Sequence, residues 1–203
     1  AANGSEGEDV VRIMSIHKSK GLEFPIGIVA GCGRLFNREK DDALLHPELG
    51  LGVRLKAPDS PARFSTLPRE AIRLELDRET MSEELRVLYV AMTRAKEKLI
   101  LLATLKDADK TLGKLAAGLT KDEKLPEYTV RGATSLSDWL LSCALRHPDG
   151  KILRDRAMAE EELVLRVPDY TPWDIRVLRP DAPTVSLVQE ERILPQPDEA
   201  LFV

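Results

Sequence analysis

The stretch SEELRVLYVAMTRAKEKLILLA, residues 82–103, joins a helical pattern directly to a strand pattern. Apolar residues recur at spacings of three and four from Leu67 to Leu99, which predicts an amphipathic helix. The overlapping run Lys98–Ala103 is almost continuously apolar, as in a strand buried on both faces of a parallel sheet. A helix followed at once by such a strand is half of a parallel crossover unit, so we predict an α/β fold.

Two further strands are predicted upstream of this unit. Val10–Ile16 is rich in β-branched residues, and Ile26–Ala30 is another apolar run. Between the second strand and the helix, residues 34–66 hold several prolines, glycines and charges, which indicates an insertion. Within the insertion, residues 49–55 fit a short strand or one arm of a hairpin.

The predicted helix carries a possible interruption. Thr80 is followed three residues later by Glu83, a pattern typical of a capping box at a helix start. This pattern favours a break near residue 80. One long helix, one kinked helix and two helices in register all fit the apolar spacing.

The segment after residue 104 is predicted to be a mixed α and β extension. One helix is predicted around Thr111–Ala117. A second begins at Ser135, a favourable N-cap, and ends at His147-Pro148. Two strands are predicted at Glu162–Val167 and Asp174–Leu178, with a turn that contains Pro and Tyr between them.

Composition and charge exclude several classes of protein. The 203 residues are 43% hydrophobic and 32% charged, as in globular chains, and no apolar run approaches the roughly 20 residues of a membrane span. Cys32 and Cys143 fit neither a metal-ligand spacing nor a disulfide framework, so we expect no metal site and a reducing cytoplasm. The net charge of −4 leaves nucleic-acid binding to local basic clusters, at residues 17–20, 34–40 and 94–98.

The first segment that suggests chemistry is residues 17–21, His-Lys-Ser-Lys-Gly, after the first predicted strand. Ligands of open α/β sheets bind beyond the carboxyl ends of strands. There, lysine offers a point charge to a phosphate and Gly21 lets the backbone approach closely, while Glu23 can accept hydrogen bonds from a ribose hydroxyl. A solvated polar turn is the alternative, and the spacing alone favours it because this is no Walker-type loop.

The second such segment is the end of the helix, where Thr93, Arg94 and Lys96 fall off the apolar face. An arginine held at a helix end can reach across a cleft and stabilise the charge that develops on a transferred phosphoryl group. Alternatively, Arg94, Lys96 and Lys98 only complement the negative end of the helix dipole. The helix end by itself does not separate these two interpretations.

Together, the two segments resemble motifs V and VI of the superfamily 1 helicases of the UvrD/Rep type. IMSIHKSKGLEFP, residues 13–25, resembles motif V, and EELRVLYVAMTRAK, residues 83–96, resembles motif VI. The finer resemblance is to the AddA family, the helicase-nuclease subunits of bacterial double-strand-break repair, through LLHPELGLG at residues 44–52 and SLSDWL at residues 135–140. The resemblance covers about residues 9–145, and both motifs are long and stand in the family's order.

The resemblance implies a partial RecA-like, P-loop NTPase-type parallel sheet with flanking helices, the second motor domain of a helicase. ATP would bind between this domain and a first RecA-like domain of the same polypeptide. Lys20 would approach the γ-phosphate, Glu23 the ribose, and Arg94 would be the arginine finger. Gly21 would belong to the same nucleotide site. The residues implied to contact single-stranded DNA are Ser15, His17 and Lys18.

Three large apolar or aromatic residues near these motifs are interpreted as structural. Tyr89 and Met92 fall on the apolar side of the predicted helix, so we expect both to pack in a core. Trp139 follows a helix cap and is expected to anchor a core rather than to stack on a base.

The implied organisation is a flexible leader at residues 1–9, a motor domain at 10–104 with its insertion at about 34–66, and an extension at 105–203 toward a downstream nuclease domain. The whole enzyme would be a bacterial, cytoplasmic ATP-dependent helicase and exonuclease. It would unwind and resect double-stranded DNA ends for recombinational repair. Its cofactors would be ATP and Mg²⁺, and its partner would be an AddB-like second subunit.

The sequence also departs from a complete enzyme of this family. It contains no GxxxxGK[ST] loop and no Walker B acidic pair, and Glu160–Glu162 is better explained as a charged surface than as a nuclease metal site. We therefore expect the chain by itself to bind nucleotide weakly or not at all, to carry no cofactor, and neither to hydrolyse ATP nor to cut DNA.

Two alternatives remain open. One is a UvrD-type helicase without a nuclease, which the insertion at residues 34–66 disfavours. The other is a non-catalytic helicase-like module that binds DNA or protein. The presence of Lys20, Glu23 and Arg94 argues against this module, because a non-catalytic protein would not need all three.

Overall fold

The parallel pairing of two strands organises the first part of the chain. In the computed structural model, which describes residues 10–165 and 171–178, β1 (Phe24–Val29) lies parallel to β5 (Ala95–Leu101). The long helix α1 (Leu67–Met92) lies between them in sequence and provides the crossover that a parallel pair requires. The chain is therefore an α/β protein with a parallel sheet and flanking helices, and this prediction is confirmed.

The remaining elements are a small sheet before α1 and a helical unit after β5. In chain order they are β2 (Ala43–His46), β3 (Gly50–Lys56), β4 (Arg63–Ser65), α2 (Ala108–Ala117), α3 (Glu127–Gly132), α4 (Leu136–Arg146) and α5 (Lys151–Ala157). Short 3-10 turns lie at Ile16–Ser19, Pro148–Gly150 and Glu161–Leu163. The strand predicted at residues 49–55 is confirmed by β3, and the two helices predicted after residue 104 are confirmed by α2 and α4.

The insertion folds as a three-stranded antiparallel sheet in the order β2-β3-β4. β3 lies very close to the start of α1, because a Cβ added at Gly52 would be 2.4 Å from the Cα of Arg69. Arg69 is 1% exposed, and its Nε and Nη2 donate to the carbonyl oxygen of Asp41 at 3.2 and 2.6 Å. The insertion is thereby fixed to the first turns of α1.

We expect Gly52→Ala to lower the free energy of unfolding by about 1–3 kcal/mol, because the new methyl group would meet backbone atoms of α1. Gly132→Ala is the matched control, since a Cβ at Gly132 meets no atom within 4 Å. Urea unfolding of the wild type and both variants measures the difference. Equal stability of the wild type and Gly52→Ala would show that β3 does not pack on α1 in this way.

α1 is continuous, and the predicted break near residue 80 is wrong. The helix begins after Thr66, whose hydroxyl accepts a hydrogen bond from the N–H of Arg69, and it ends at Met92. Ion pairs at helical spacing lie before the predicted break: Arg73–Glu70, Arg73–Asp77 and Arg78–Glu75. Such pairs support an exposed helix, and a continuous helix keeps the backbone hydrogen bonds that a new start would interrupt.

The residues after β5 form a helical unit with its own core. Residues of α2, α4 and α5, together with Leu119 after α2, supply the buried apolar side chains: Leu112, Leu119, Ala144, Leu145, Leu153 and Ala157. A second cluster joins this unit to α1, since Trp139 of α4 packs with Met81 and Leu88 and is 5% exposed. The prediction that Trp139 anchors a core is confirmed.

The strand predicted at Val10–Ile16 is wrong. Residues 10–15 have no regular structure, and the 3-10 turn begins at Ile16. The side chains of Val11 and Ile13 are 93% and 96% exposed. β-Branched residues form a strand only where a neighbouring strand supplies hydrogen bonds, and no segment within residues 10–165 or 171–178 pairs with this one.

The two strands predicted near the end of the chain are also wrong where they fall on described residues. Glu161–Leu163 is a 3-10 turn, and residues 171–178 have no regular structure. Ile175 and Val177 instead pack against the core of α2, α4 and α5, so their apolar alternation covers helices rather than joining a sheet. Residues 166 and 167, like the predicted leader at 1–9, lie outside the described residues.

The parallel strands are less buried than predicted. Ile26 and Ile28 of β1 are 56% and 61% exposed, so the described residues do not cover this sheet on both faces. Among the helices within the described ranges, none combines the length and apolarity needed to cross a membrane.

Candidate functional site

The starts of β1 and β5 bring the two predicted motifs together. Phe24 pairs with Ala95 across the parallel sheet, and the N–H of Phe24 donates to the carbonyl oxygen of Arg94 at 2.9 Å. Glu23, one residue before β1, therefore lies beside the first residues of β5. Residues 17–21 are expected beyond the carboxyl end of a strand at Val10–Ile16, which does not form, and they instead precede the amino end of β1.

The residues before β1 form a tight polar turn. The hydroxyl of Ser15 caps the 3-10 turn by accepting a hydrogen bond from the N–H of Lys18 at 3.4 Å. Gly21 follows with φ of +83°, a left-handed conformation that glycine adopts without strain. This turn leaves three predicted ligand-binding side chains exposed: His17, Lys18 and Lys20.

Arg94 is held by three hydrogen bonds. Its Nε donates to the carbonyl oxygen of Val90 at 3.1 Å, its Nη1 to that of Leu22 at 3.2 Å, and its Nη2 to Oγ1 of Thr93 at 3.0 Å. The bond to Val90 lies at the negative end of α1, where a cation is favoured by the helix dipole. A guanidinium has five N–H groups, and these bonds use three of them. One N–H on Nη1 and one on Nη2 therefore stay unpaired within the described part of the chain.

Glu23 and Lys96 form an ion pair across the starts of the two strands, with 2.9 Å between Nζ and Oε2. The hydrogen bond from Lys96 holds the pKa of the Glu23 carboxyl below its usual range, and Arg94 adds a smaller effect in the same direction. Both side chains are more than half exposed, so the pair contributes little to stability. It does hold Glu23 close to β5.

The Glu23–Lys96 pair is not predicted from the sequence, which relates Lys96 only to the helix dipole. The two residues are far apart in the chain, and local spacing carries no information about them. The pair could still be predicted in another way, because Glu23 and Lys96 carry opposite charges and stand just before two strands that are predicted to lie in one parallel sheet.

A groove of about 710 Å³ lies between the 3-10 turn and the second half of α1. Ile16, His17 and Lys20 line one side, and α1 residues between 82 and 90 line the other. His17 and Lys20 thus share one groove, although the sequence relates them to different ligands. Glu23, Arg94 and Lys96 are not among the residues that line this groove.

Tyr89 and Met92 are 69% and 39% exposed, so the prediction that they pack in a core is wrong. Leu88 of α1 packs against Trp139, and successive side chains of a helix point about 100° apart. The side chain of Tyr89 therefore points away from that core. Tyr89 lines the groove instead.

His46, Glu75 and Glu79 come together between β2 and α1, with possible metal-ligand atoms within 4.8 Å of one another. Nδ1 of His46 accepts hydrogen bonds from the N–H groups of Glu48 and Leu49, both at 3.2 Å. In the neutral ring the proton therefore sits on Nε2, which faces Glu79 at 3.5 Å. A metal ion would need the lone pair of Nε2 and would disrupt these bonds. His46 instead links the β2–β3 turn to Glu79 of α1.

Comparison with known proteins gives consistent similarities. Residues 2–106 match the family described as UvrD-like helicase C-terminal domain. The chain is 46% identical over 176 residues to the A subunit of the ATP-dependent helicase/nuclease from Clostridium botulinum, covering 85% of this chain and 14% of that protein. For the proteins of the same name from Clostridium kluyveri and Bacillus cereus, the identities are 41% and 42%, over 87% and 92% of this chain.

The chain spans about one-seventh of the length of these relatives, 14–15%. The matches extend beyond residue 106 and so include part of the helical unit after β5. They confirm the resemblance inferred from residues 13–25 and 83–96.

Proposed function

The chain belongs to the UvrD-like helicase C-terminal domain family, and from this membership we propose that it forms part of one wall of the ATP site of a DNA helicase. The observation that supports this proposal is the position of Glu23 and Arg94 at the starts of the paired strands β1 and β5. A carboxylate and a guanidinium placed side by side suit a ligand that carries both hydroxyl groups and phosphates.

Each residue of the proposed nucleotide site is assigned a role in ligand binding that follows from its chemistry. Glu23, held beside β5 by Lys96, accepts hydrogen bonds from the ribose hydroxyls. Lys20 presents a point charge to the γ-phosphate, and Gly21 gives the turn its left-handed conformation. ATP, when bound, would supply the γ-phosphoryl group that is transferred to water, with ADP as the leaving group. Arg94 meets its oxygens with the two N–H groups that its other bonds leave unpaired.

The residues near this site do not fit a magnesium ion. Glu23 is the carboxylate at the start of β1, and it is already paired with Lys96. Mg²⁺ prefers several oxygen ligands in a regular octahedron, including carboxylates that are not neutralised by a cation. We therefore place the Mg²⁺ ligands on the first RecA-like domain.

The proposed contacts to single-stranded DNA come from the exposed face of the 3-10 turn. Lys18 can neutralise a phosphate, and His17 presents a ring from the same turn to a base or to the backbone. The hydroxyl of Ser15 already accepts the N–H of Lys18, and it can still donate its hydrogen to a phosphate oxygen. Binding through this turn would couple the nucleic acid to Lys20, two residues after Lys18.

We propose further that the chain acts within a longer polypeptide, as the names of its relatives, each the A subunit of an ATP-dependent helicase/nuclease, suggest. The whole protein would unwind and resect double-stranded DNA ends in the bacterial cytoplasm. It would work with an AddB-like second subunit. The division into a motor domain at residues 10–104 and an extension toward a nuclease from residue 105 remains a proposal.

We expect the isolated 203-residue chain to release phosphate from ATP no faster than a buffer blank, even with Mg²⁺ and single-stranded DNA present, because it supplies only one wall of the site. Phosphate release by the chain and by its Arg94→Ala variant, prepared in parallel, measures this. Turnover that Arg94→Ala abolishes would contradict the proposal, since the chain would then hold a complete site. A contaminating ATPase would be unaffected by the substitution.

A further inference from the structure

The hydroxyl group of Thr93 lies between the last turn of α1 and the guanidinium of Arg94. Its Oγ1 is 2.9 Å from the carbonyl oxygen of Tyr89 and 3.2 Å from that of Val90, and it donates its one hydrogen toward them. The same oxygen accepts the hydrogen bond from Nη2 of Arg94 at 3.0 Å. The hydroxyl thus links the last turn of α1 to the guanidinium of Arg94 through hydrogen bonds on both sides.

From this geometry we propose that Thr93 is a positioning residue for Arg94, an inference that rests on the proposed function of Arg94 in ATP hydrolysis. The hydrogen of the hydroxyl is directed at helix carbonyls, so a lone pair is directed at the guanidinium. A hydroxyl that already donates to a carbonyl is a stronger acceptor, and a charged donor strengthens the contact further.

The three acceptors around Arg94 fix the plane of the guanidinium. Val90 holds Nε and Leu22 holds Nη1, both through backbone carbonyls that no side-chain substitution removes. Thr93 holds Nη2 and is the one side-chain acceptor among these three bonds. Loss of its hydroxyl leaves two anchors, and the rigid guanidinium can then rotate about the line between them. The N–H groups that would meet the phosphate are then no longer held in one direction.

The test uses the full-length helicase that contains this chain and compares Thr93→Val with Thr93→Ser. Valine keeps the shape of threonine and removes the hydroxyl, whereas serine keeps the hydroxyl. We expect Thr93→Val to lower kcat for DNA-stimulated ATP hydrolysis about tenfold, with KM for ATP changed less than about twofold. Thr93→Ser should stay within about twofold of the wild type. Thr80→Val, the same change in the middle of α1, is the matched control for helix stability.

A double-mutant cycle separates positioning from general structure. If Thr93 acts through Arg94, adding Thr93→Val to an Arg94→Ala enzyme should change the single-turnover rate less than about twofold. Equal loss of activity in Thr93→Val and Thr93→Ser, an unchanged kcat in Thr93→Val, or the same tenfold loss in the Arg94→Ala background would overturn the inference. An Arg94→Ala enzyme with normal kcat would instead overturn the proposed function of Arg94 itself.

Discussion

Arg94→Ala in the full-length helicase is expected to lower kcat for ATP hydrolysis by about a thousandfold, with DNA unwinding lost in parallel. The reason is that an arginine finger acts on charge that develops in the transition state, so its loss affects turnover far more than nucleotide affinity. Steady-state ATPase rates, together with the Kd for a non-hydrolysable ATP analogue, measure the two effects separately. We expect the Kd to change less than about fivefold.

Arg78→Ala is the matched control for this substitution. Arg78 is an exposed arginine of α1, the helix that ends just before Arg94, and it is paired with Glu75 far along α1 from the site. A folded Arg94→Ala protein that no longer binds the analogue would show a ground-state contact instead of a finger. Normal turnover, with only a small loss of stability, would leave the helix-dipole interpretation of Arg94, whose expected size is about 0.3–1 kcal/mol.

Trp139→Ala is expected to lower the free energy of unfolding of the chain by about 3–5 kcal/mol. The indole is 5% exposed and packs against Phe36, with 5.1 Å between ring centroids, and against Leu88 of α1. Its Nε1 also donates to the carbonyl oxygen of Val130 at 2.9 Å, and the substitution leaves that oxygen with only the weaker hydrogen bond from the N–H of Ala133 at 3.4 Å. Urea unfolding followed by circular dichroism measures the loss.

Trp173→Ala provides the comparison, because Trp173 is 43% exposed and stacks on His147 at 4.2 Å between centroids. Its removal leaves no enclosed cavity, so we expect a loss of about 1 kcal/mol or less. Similar losses for the two tryptophans would argue that α4 does not dock on α1 through Trp139.

The elements predicted best from the sequence are those whose signals are local and whose partners lie nearby. α4 is predicted from Ser135 at its start and His147-Pro148 at its end, and both signals come from a few adjacent residues. The parallel strands are predicted because a nearly continuous apolar run is typical of a strand in a parallel sheet. In contrast, the strand predicted at Val10–Ile16 needs a neighbour, and β-branched residues do not supply one.

The individual residues of the candidate site are predicted from the sequence, but the contacts between them are not. Arg94 and Glu23 are chosen for their chemistry and their resemblance to known motifs, and their roles stay predictions. The contacts of Arg94 with Leu22 and of Glu23 with Lys96 join residues far apart in the chain, and the register of β1 on β5 creates them. Register depends on the packing of whole elements, which no single motif encodes.

The uninterrupted course of α1 has a mechanical consequence. Its 26 residues form a rod about 39 Å long, with the antiparallel insertion attached at one end and Thr93 and Arg94 at the other. No glycine lies in the rod and its one proline stands in the first turn, so nothing in it acts as a hinge. We therefore expect a tilt of the end that carries the insertion to be transmitted along the helix toward Arg94, because a continuous helix offers no point at which the tilt could be absorbed.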